Sequence, residues 1–215
     1  TVFVKSSERS LDTMSNPSFF PAPDRCTLCP RRCMARRAQG QAGFCGAAGV
    51  LKAARAALHF WEEPCISGQR GSGTVFFSGC TLKCCYCQNY PISAEVQGKE
   101  LSVDRLAAIF LELQQKGAHN INLVTPGQWR PWITAALDKA RAEGLTLPIV
   151  CNTGSYETLE SIAAWQGYVD IWLADLKYVS PAVSAELSAA PDYFAVAKAA
   201  IEAMMAQTGR PVLDA

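Results

Sequence analysis

From residue 74 onward the chain alternates short, fully apolar runs with longer stretches of helical spacing. The short runs are Thr74 to Ser78 (TVFFS), Ile121 to Thr125 (INLVT), Leu147 to Cys151 (LPIVC) and Val169 to Ala174 (VDIWLA). Runs this short, without a polar side, fit strands buried on both faces. Between and after them the pattern predicts four helices. One is capped by Ser102 and runs to about Lys116, with Gly117 at its end. The others cover 130–143 up to Gly144, 157–166 up to Gly167, and about Asp192 to Gln207 up to Gly209. Strand and helix in regular alternation imply an α/β fold, with four βα units of a barrel or an open parallel sheet. In either architecture chemistry gathers at the C-terminal ends of the strands. Here those ends read Gly79-Cys80, Pro126-Gly127-Gln128-Trp129, Asn152-Thr153-Gly154-Ser155 and Asp175-Leu176-Lys177.

The chain ahead of these units has a different character. Residues 1–25 are polar and rich in Pro and Ser, and read as an extended or disordered arm. Residues 26–70 read as a Cys-rich metal-binding segment whose cysteines lie at 26–45, followed from about 49 by connecting structure. That connection ends in a Gly-rich stretch, and residues 71–215 hold the βα units.

Charge and composition narrow the function. The 20 Lys and Arg nearly balance the 19 Asp and Glu, so nothing points to nucleic acid or to an anionic membrane surface. No run approaches the length of a membrane-spanning helix, and the N-terminus lacks the zones of a secretory signal. Ten cysteines stand out, and eight fall in two tight clusters, at 26–45 and 80–87. Disulfide scaffolds spread their cysteines along a short, core-poor chain. Clustering in a chain that is 49% apolar favours metal chemistry and a cytoplasmic setting.

The segment after the first apolar run reads Gly79-Cys80-Thr81-Leu82-Lys83-Cys84-Cys85-Tyr86-Cys87. Cys80, Cys84 and Cys87 are spaced C-x3-C-x2-C. Three thiolates on one loop suit three irons of a cubane cluster, whose usual ligand set is four cysteines. A missing fourth ligand leaves one iron open, as a catalytic metal requires. Cys85 is off this spacing and reads as a small buried thiol.

This C-x3-C-x-aromatic-C motif, placed directly after a barrel strand, resembles the signature of the radical S-adenosylmethionine (SAM) superfamily, with Tyr86 at the aromatic position near the adenine. The segments EEPCISG (62–68), GSGTVFF (71–77), CQNYPIS (87–93), NINLVTP (120–126) and DIWLADLKY (170–178) resemble the PflX-like branch of the pyruvate formate-lyase-activating enzyme group. The resemblance runs from about residue 26 to the end. It implies a TIM-barrel-like radical SAM barrel of six units, here partial, whose fifth and sixth units are cut off, supplied by a partner chain, or lost in a degenerate protein.

The resemblance also implies a 4Fe–4S cluster on Cys80, Cys84 and Cys87, with SAM bound at its open iron and cleaved to a 5′-deoxyadenosyl radical that abstracts hydrogen. It implies an electron donor such as flavodoxin or ferredoxin. The substrate it implies is a backbone glycine of a partner glycyl radical enzyme, with a small molecule or another protein as the alternative. A non-catalytic iron–sulfur or zinc protein is the competing class.

Among the SAM contacts, the family's Gly-Gly-Glu segment falls here on Thr125, Pro126 and Gly127, without the Glu. Asn152 and Ser155 suit the ribose or carboxylate, or are turn formers. Asp175 and Lys177 match an Asp-x-Lys motif of glycyl-radical activating enzymes, or form a surface salt pair. An open fourth strand predicts self-association through the sheet edge.

Cys26, Cys29, Cys33 and Cys45 form a second four-thiolate set. It suits a structural zinc or an auxiliary iron–sulfur cluster. The arginines at 31, 32, 36 and 37 offset thiolate charge or are solvated. Cys65 and Cys151 read as structural. His59 and His119 read as hydrogen-bonded core histidines without a catalytic role. Glu62 and Glu63 read as facing the cavity or as solvated.

Overall fold

The computed structural model describes residues 21–209; residues 1–20 of the expected arm lie outside the described residues. In chain order the elements are β1 (Lys52–His59), α1 (Pro64–Ser67), β2 (Ser72–Phe77), α2 (Tyr90–Ser93), β3 (Lys99–Glu100) and α3 (Val103–Gln115). They continue with β4 (Ile121–Val124), α4 (Arg130–Ala142), β5 (Ile149–Thr153), α5 (Leu159–Ala163), β6 (Ile171–Ala174), α6 (Pro181–Ser188) and α7 (Tyr193–Thr208).

The strands form one mixed sheet in the order β3-β1-β2-β4-β5-β6. Strands β2, β4, β5 and β6 are mutually parallel, and Gly73, Ile121 and Ile149 stand side by side. These are the four strands expected from the apolar runs, and the α/β class is the class found.

Strand β1 corrects the reading of residues 49–73 as connecting structure. It runs antiparallel along the whole of β2, and β3 pairs with it in turn. Its sequence, KAARAALH, is dominated by alanine, the strongest helix former, so local preference points away from a strand. The ladder to β2 overrides that preference. The helix expected over 157–166 is confined to Leu159–Ala163, because the Thr158 side chain accepts the Ser161 N–H and starts the helix there. Helix α6 was not anticipated; Ser180 caps it ahead of Pro181.

The sheet has two different faces. Val75, Phe77, Ile121, Leu123, Ile149 and Cys151 are almost fully buried and belong to one core with residues of α3 and α4. The alternate positions Phe76, Val124, Asn152 and Leu173 line a cavity, as the two-residue period of a strand requires. Ser102 caps α3 as expected, accepting the Arg105 N–H at 3.0 Å.

Candidate functional site

The cavity occupies about 820 Å³ and is walled by the cavity face of the parallel strands, the 79–89 loop and the residues after β1. Cys80, Cys84 and Cys87 all line it, with Tyr86 beside them. The loop leaves β2 through Gly79, whose φ of +84° is a glycine conformation. A side chain there would also strike the Cys45 carbonyl oxygen, so Gly79 lets the two cysteine clusters touch. The Cys80 N–H donates to that same carbonyl at 3.3 Å.

Each thiol of the triplet has a defined surrounding. The Cys80 sulfur accepts from the Leu82 N–H at 3.4 Å. Burial pushes its pKa up, opposed by the Lys83 and Leu82 N–H groups, with Cys84 and Cys87 pushing it further up. The Ser188 hydroxyl donates to the Cys84 sulfur at 3.0 Å. Behind the loop lies a second apolar cluster of Leu82, Cys84, Tyr156, Tyr178 and Tyr193. Cys85 is exposed rather than a small buried thiol; its N–H donates to the Leu187 carbonyl and turns the side chain outward.

Among the described residues, no three Cys, His, Asp or Glu side chains converge on a point that would hold a single metal ion. A cluster makes a different demand, since each thiolate binds its own iron and the three sulfurs stand apart. Three thiols from one loop facing one cavity, with N–H and O–H donors on two of their sulfurs, suit that donor set.

The other residues singled out in the sequence divide into two groups. Thr125, Asn152, Asp175, Lys177 and Tyr86 line the cavity. Asp175 and Lys177 are paired at 2.5 Å. Burial lowers the Lys177 pKa, but the Asp175 partner outweighs it and the net shift is upward. The Tyr86 hydroxyl donates to the Tyr178 hydroxyl at 2.6 Å. Pro126, Gly127 and Ser155 are buried and are not among the residues lining the cavity. Thr125 has φ +55°, a strained conformation for a β-branched residue.

Two cavity residues were given no role in the sequence reading, although Gln128 stood in one of the strand-end segments. The Gln128 Nε2 donates to the carbonyls of Gly79 and Thr125, both at 2.9 Å, and to that of Ser78 at 3.3 Å, stapling the ends of β2 and β4 together. Glu157 accepts from the Thr153 and Ser161 hydroxyls, and burial pushes its pKa up to about 7. A side chain on Gly127 would collide with its carboxylate. Neither residue had a motif to mark it; the position of Gln128 after a parallel strand was the signal that pointed to the place.

The four cysteines of the first cluster are also brought together. Cys26, Cys29 and Cys45 are buried and Cys33 is exposed. Cys33 and Cys45 both press on Gly43. Burial pushes Cys29 up to about 12, with Cys45, Glu157 and Cys26 adding to it. Of the nearby arginines, Arg37 is fully buried between the Trp129 and Trp132 rings, and it reaches the Cys26 sulfur at 3.9 Å. It also donates to the carbonyls of Gln128 and Ala48. Arg31 bridges the clusters, donating to the carbonyls of Thr81, Ser188 and Ala189. Cys151 is core and Cys65 is exposed. His59 is half-buried and faces the cavity, while His119 accepts from the Arg70 N–H. No helix among the described residues is long and apolar enough to cross a membrane.

No family model matches the chain, and no solved structure matches it. It is 28% identical over 180 residues to the uncharacterized protein MJ0674 of Methanocaldococcus jannaschii. The match covers 80% of this chain and 51% of that protein, so the chain spans about half the length of the curated relative it matches.

Proposed function

We propose that this chain is the barrel portion of a radical SAM enzyme, with the cluster on Cys80, Cys84 and Cys87. One observation carries the reading: three cysteines on the loop after the first parallel strand face a single cavity at the C-terminal end of the sheet. That is where α/β folds collect their chemistry. A cluster held there would supply the electron for reductive cleavage of SAM, the cofactor chemistry that starts hydrogen abstraction.

The chain's own residues do the rest. Cys80, Cys84 and Cys87 would hold the cluster. Ser188 and the Leu82 N–H orient two of the sulfurs. Tyr86, held by Tyr178, stands beside the loop as a flat surface for a purine. Asp175 and Lys177 offer one carboxylate and one ammonium at the cavity rim, and Asn152 offers an amide. The Gln128 staple fixes the β2 and β4 ends, so the loop is held without SAM. In this reading the sheet is part of a barrel, the first cysteine cluster holds zinc or a second iron–sulfur cluster, and an electron donor such as flavodoxin or ferredoxin reduces the site.

The test is anaerobic reconstitution with iron and sulfide, reduction, addition of SAM and measurement of 5′-deoxyadenosine. Product is expected from the chain and none from Cys84→Ala. Bound iron without product would overturn the enzymatic reading.

A further inference from the structure

The cavity runs from the cysteine loop to Glu62, which rises from the loop after β1 onto the cavity face of the sheet. Its backbone is anchored, since the Glu62 N–H donates to the Ser67 hydroxyl at 3.1 Å. Its carboxylate is anchored too. The Asn122 amide donates to Oε2 at 2.9 Å, and the Asn152 amide makes a long contact of 3.5 Å to Oε1. Val124 pairs with Asn152, so the two asparagines come from adjacent parallel strands on the same face, one step of the pleat apart.

This carboxylate is set in place but has no counter-charge. Among the described residues no Lys, Arg or His lies within ion-pair distance of Glu62. Burial pushes its pKa up, and the Glu63 charge adds to that. Asn122 is not among the cavity-lining residues and holds the carboxylate from behind. Asn122 is 0% exposed, and its Oδ1 has no hydrogen-bond partner while its Nδ2 holds Glu62. Neutral amides alone leave the carboxylate's charge uncompensated, which is costly unless something brings further N–H groups. A partly desolvated carboxylate adds the demand that those N–H groups be positive.

We propose that this floor is a recognition site for a cationic nitrogen, an alkylammonium or guanidinium group, with Glu62 as its counter-charge. The substrate class is then a molecule, or a Lys or Arg side chain, whose charged nitrogen rests on the floor while the rest extends toward Cys80, Cys84 and Cys87. The cavity is large enough for a ligand that spans it. The assignment rests on the preceding proposal only in taking this cavity as the place of reaction.

The test needs neither iron nor SAM, so its failure is separable from failure of the radical reading. The full chain is titrated with n-butylammonium, n-butylguanidinium and n-butanol, and the side-chain amide resonances of Asn122 and Asn152 are followed. The two cations are expected to give saturable shifts, with dissociation constants of about 1–10 mM, and butanol none. Glu62→Gln is expected to weaken cation binding at least about tenfold, and Glu63→Gln less than about twofold. Equal response to butanol, no saturable response to either cation, or unchanged binding in Glu62→Gln would overturn the proposal. The cation-versus-alcohol comparison is made on the unaltered chain and decides the matter even if Glu62→Gln folds poorly.

Discussion

Cys26, Cys29 and Cys45 are about 5–6% exposed, with the fully buried Arg37 on Cys26 and Gly43 beside Cys45. Cys80, Cys84 and Cys87 are joined to that set through the Cys80 N–H on the Cys45 carbonyl, yet all three open on an 820 Å³ cavity. The first set supplies four thiols and encloses three of them, with Cys33 exposed. The second supplies three and leaves a space in front of them. Structural metal sites are closed and catalytic ones keep a position open. The contrast therefore sets a largely enclosed group of thiols apart from one that faces open space, although Arg31 and the Cys45 carbonyl tie them together.

The largest expected difference lies in what each cluster loses. Replacing Cys80, Cys84 and Cys87 by Ala should take 5′-deoxyadenosine formation to background while moving the melting temperature by no more than about 3 °C, measured by chromatography and circular dichroism. The enclosed set should respond in the opposite way. Arg37→Ala removes a side chain from between two tryptophans and leaves the Gln128 and Ala48 carbonyls without their donor. It should cost about 4 kcal/mol in urea unfolding.

Glu157 lies between the two clusters, and its effect is a matter of pH. Its folded pKa is raised to about 7 from an ordinary value of 4.5. Below about pH 4.5 both folded and unfolded chains hold the proton. Between there and pH 7 only the folded chain keeps it, so stability falls as pH rises through that window, and levels off above. The loss is about 3 kcal/mol. Glu157→Gln should flatten the difference between unfolding free energies measured at pH 4.5 and pH 8. The smallest effect concerns the bridge itself. Arg31→Lys cannot span the Thr81, Ser188 and Ala189 carbonyls with one ammonium. It should cost about 1–2 kcal/mol and leave iron binding by the triplet intact, as read by absorbance.

The parts of the molecule visible in the sequence were those specified by nearby residues. The four parallel strands are continuous apolar runs, and the triplet is a fixed spacing on one loop. Ser102 caps α3 from one residue away. What stayed hidden is made by distant residues. Strand β1 has an alanine-rich sequence and owes its conformation to β2. Glu62, Asn122 and Asn152 meet only once the sheet is formed, and nothing near any of them marks the meeting. Gln128 and Glu157 fill the place after β4 from two different loops. Ser155 and Gly127 sit in turn sequences that look accessible but are packed inside.

Trp61, next to Glu62, is 90% exposed and lines the cavity entrance, whereas Trp129, Trp132 and Trp165 are buried and Trp172 is half-buried with its indole N–H on Gln207. A soluble quencher such as iodide therefore reaches one indole far ahead of the others. The chain carries its own optical sensor at the mouth of the cavity, and whatever settles onto the floor should dim or shield that one emitter while leaving the rest of the fluorescence unchanged.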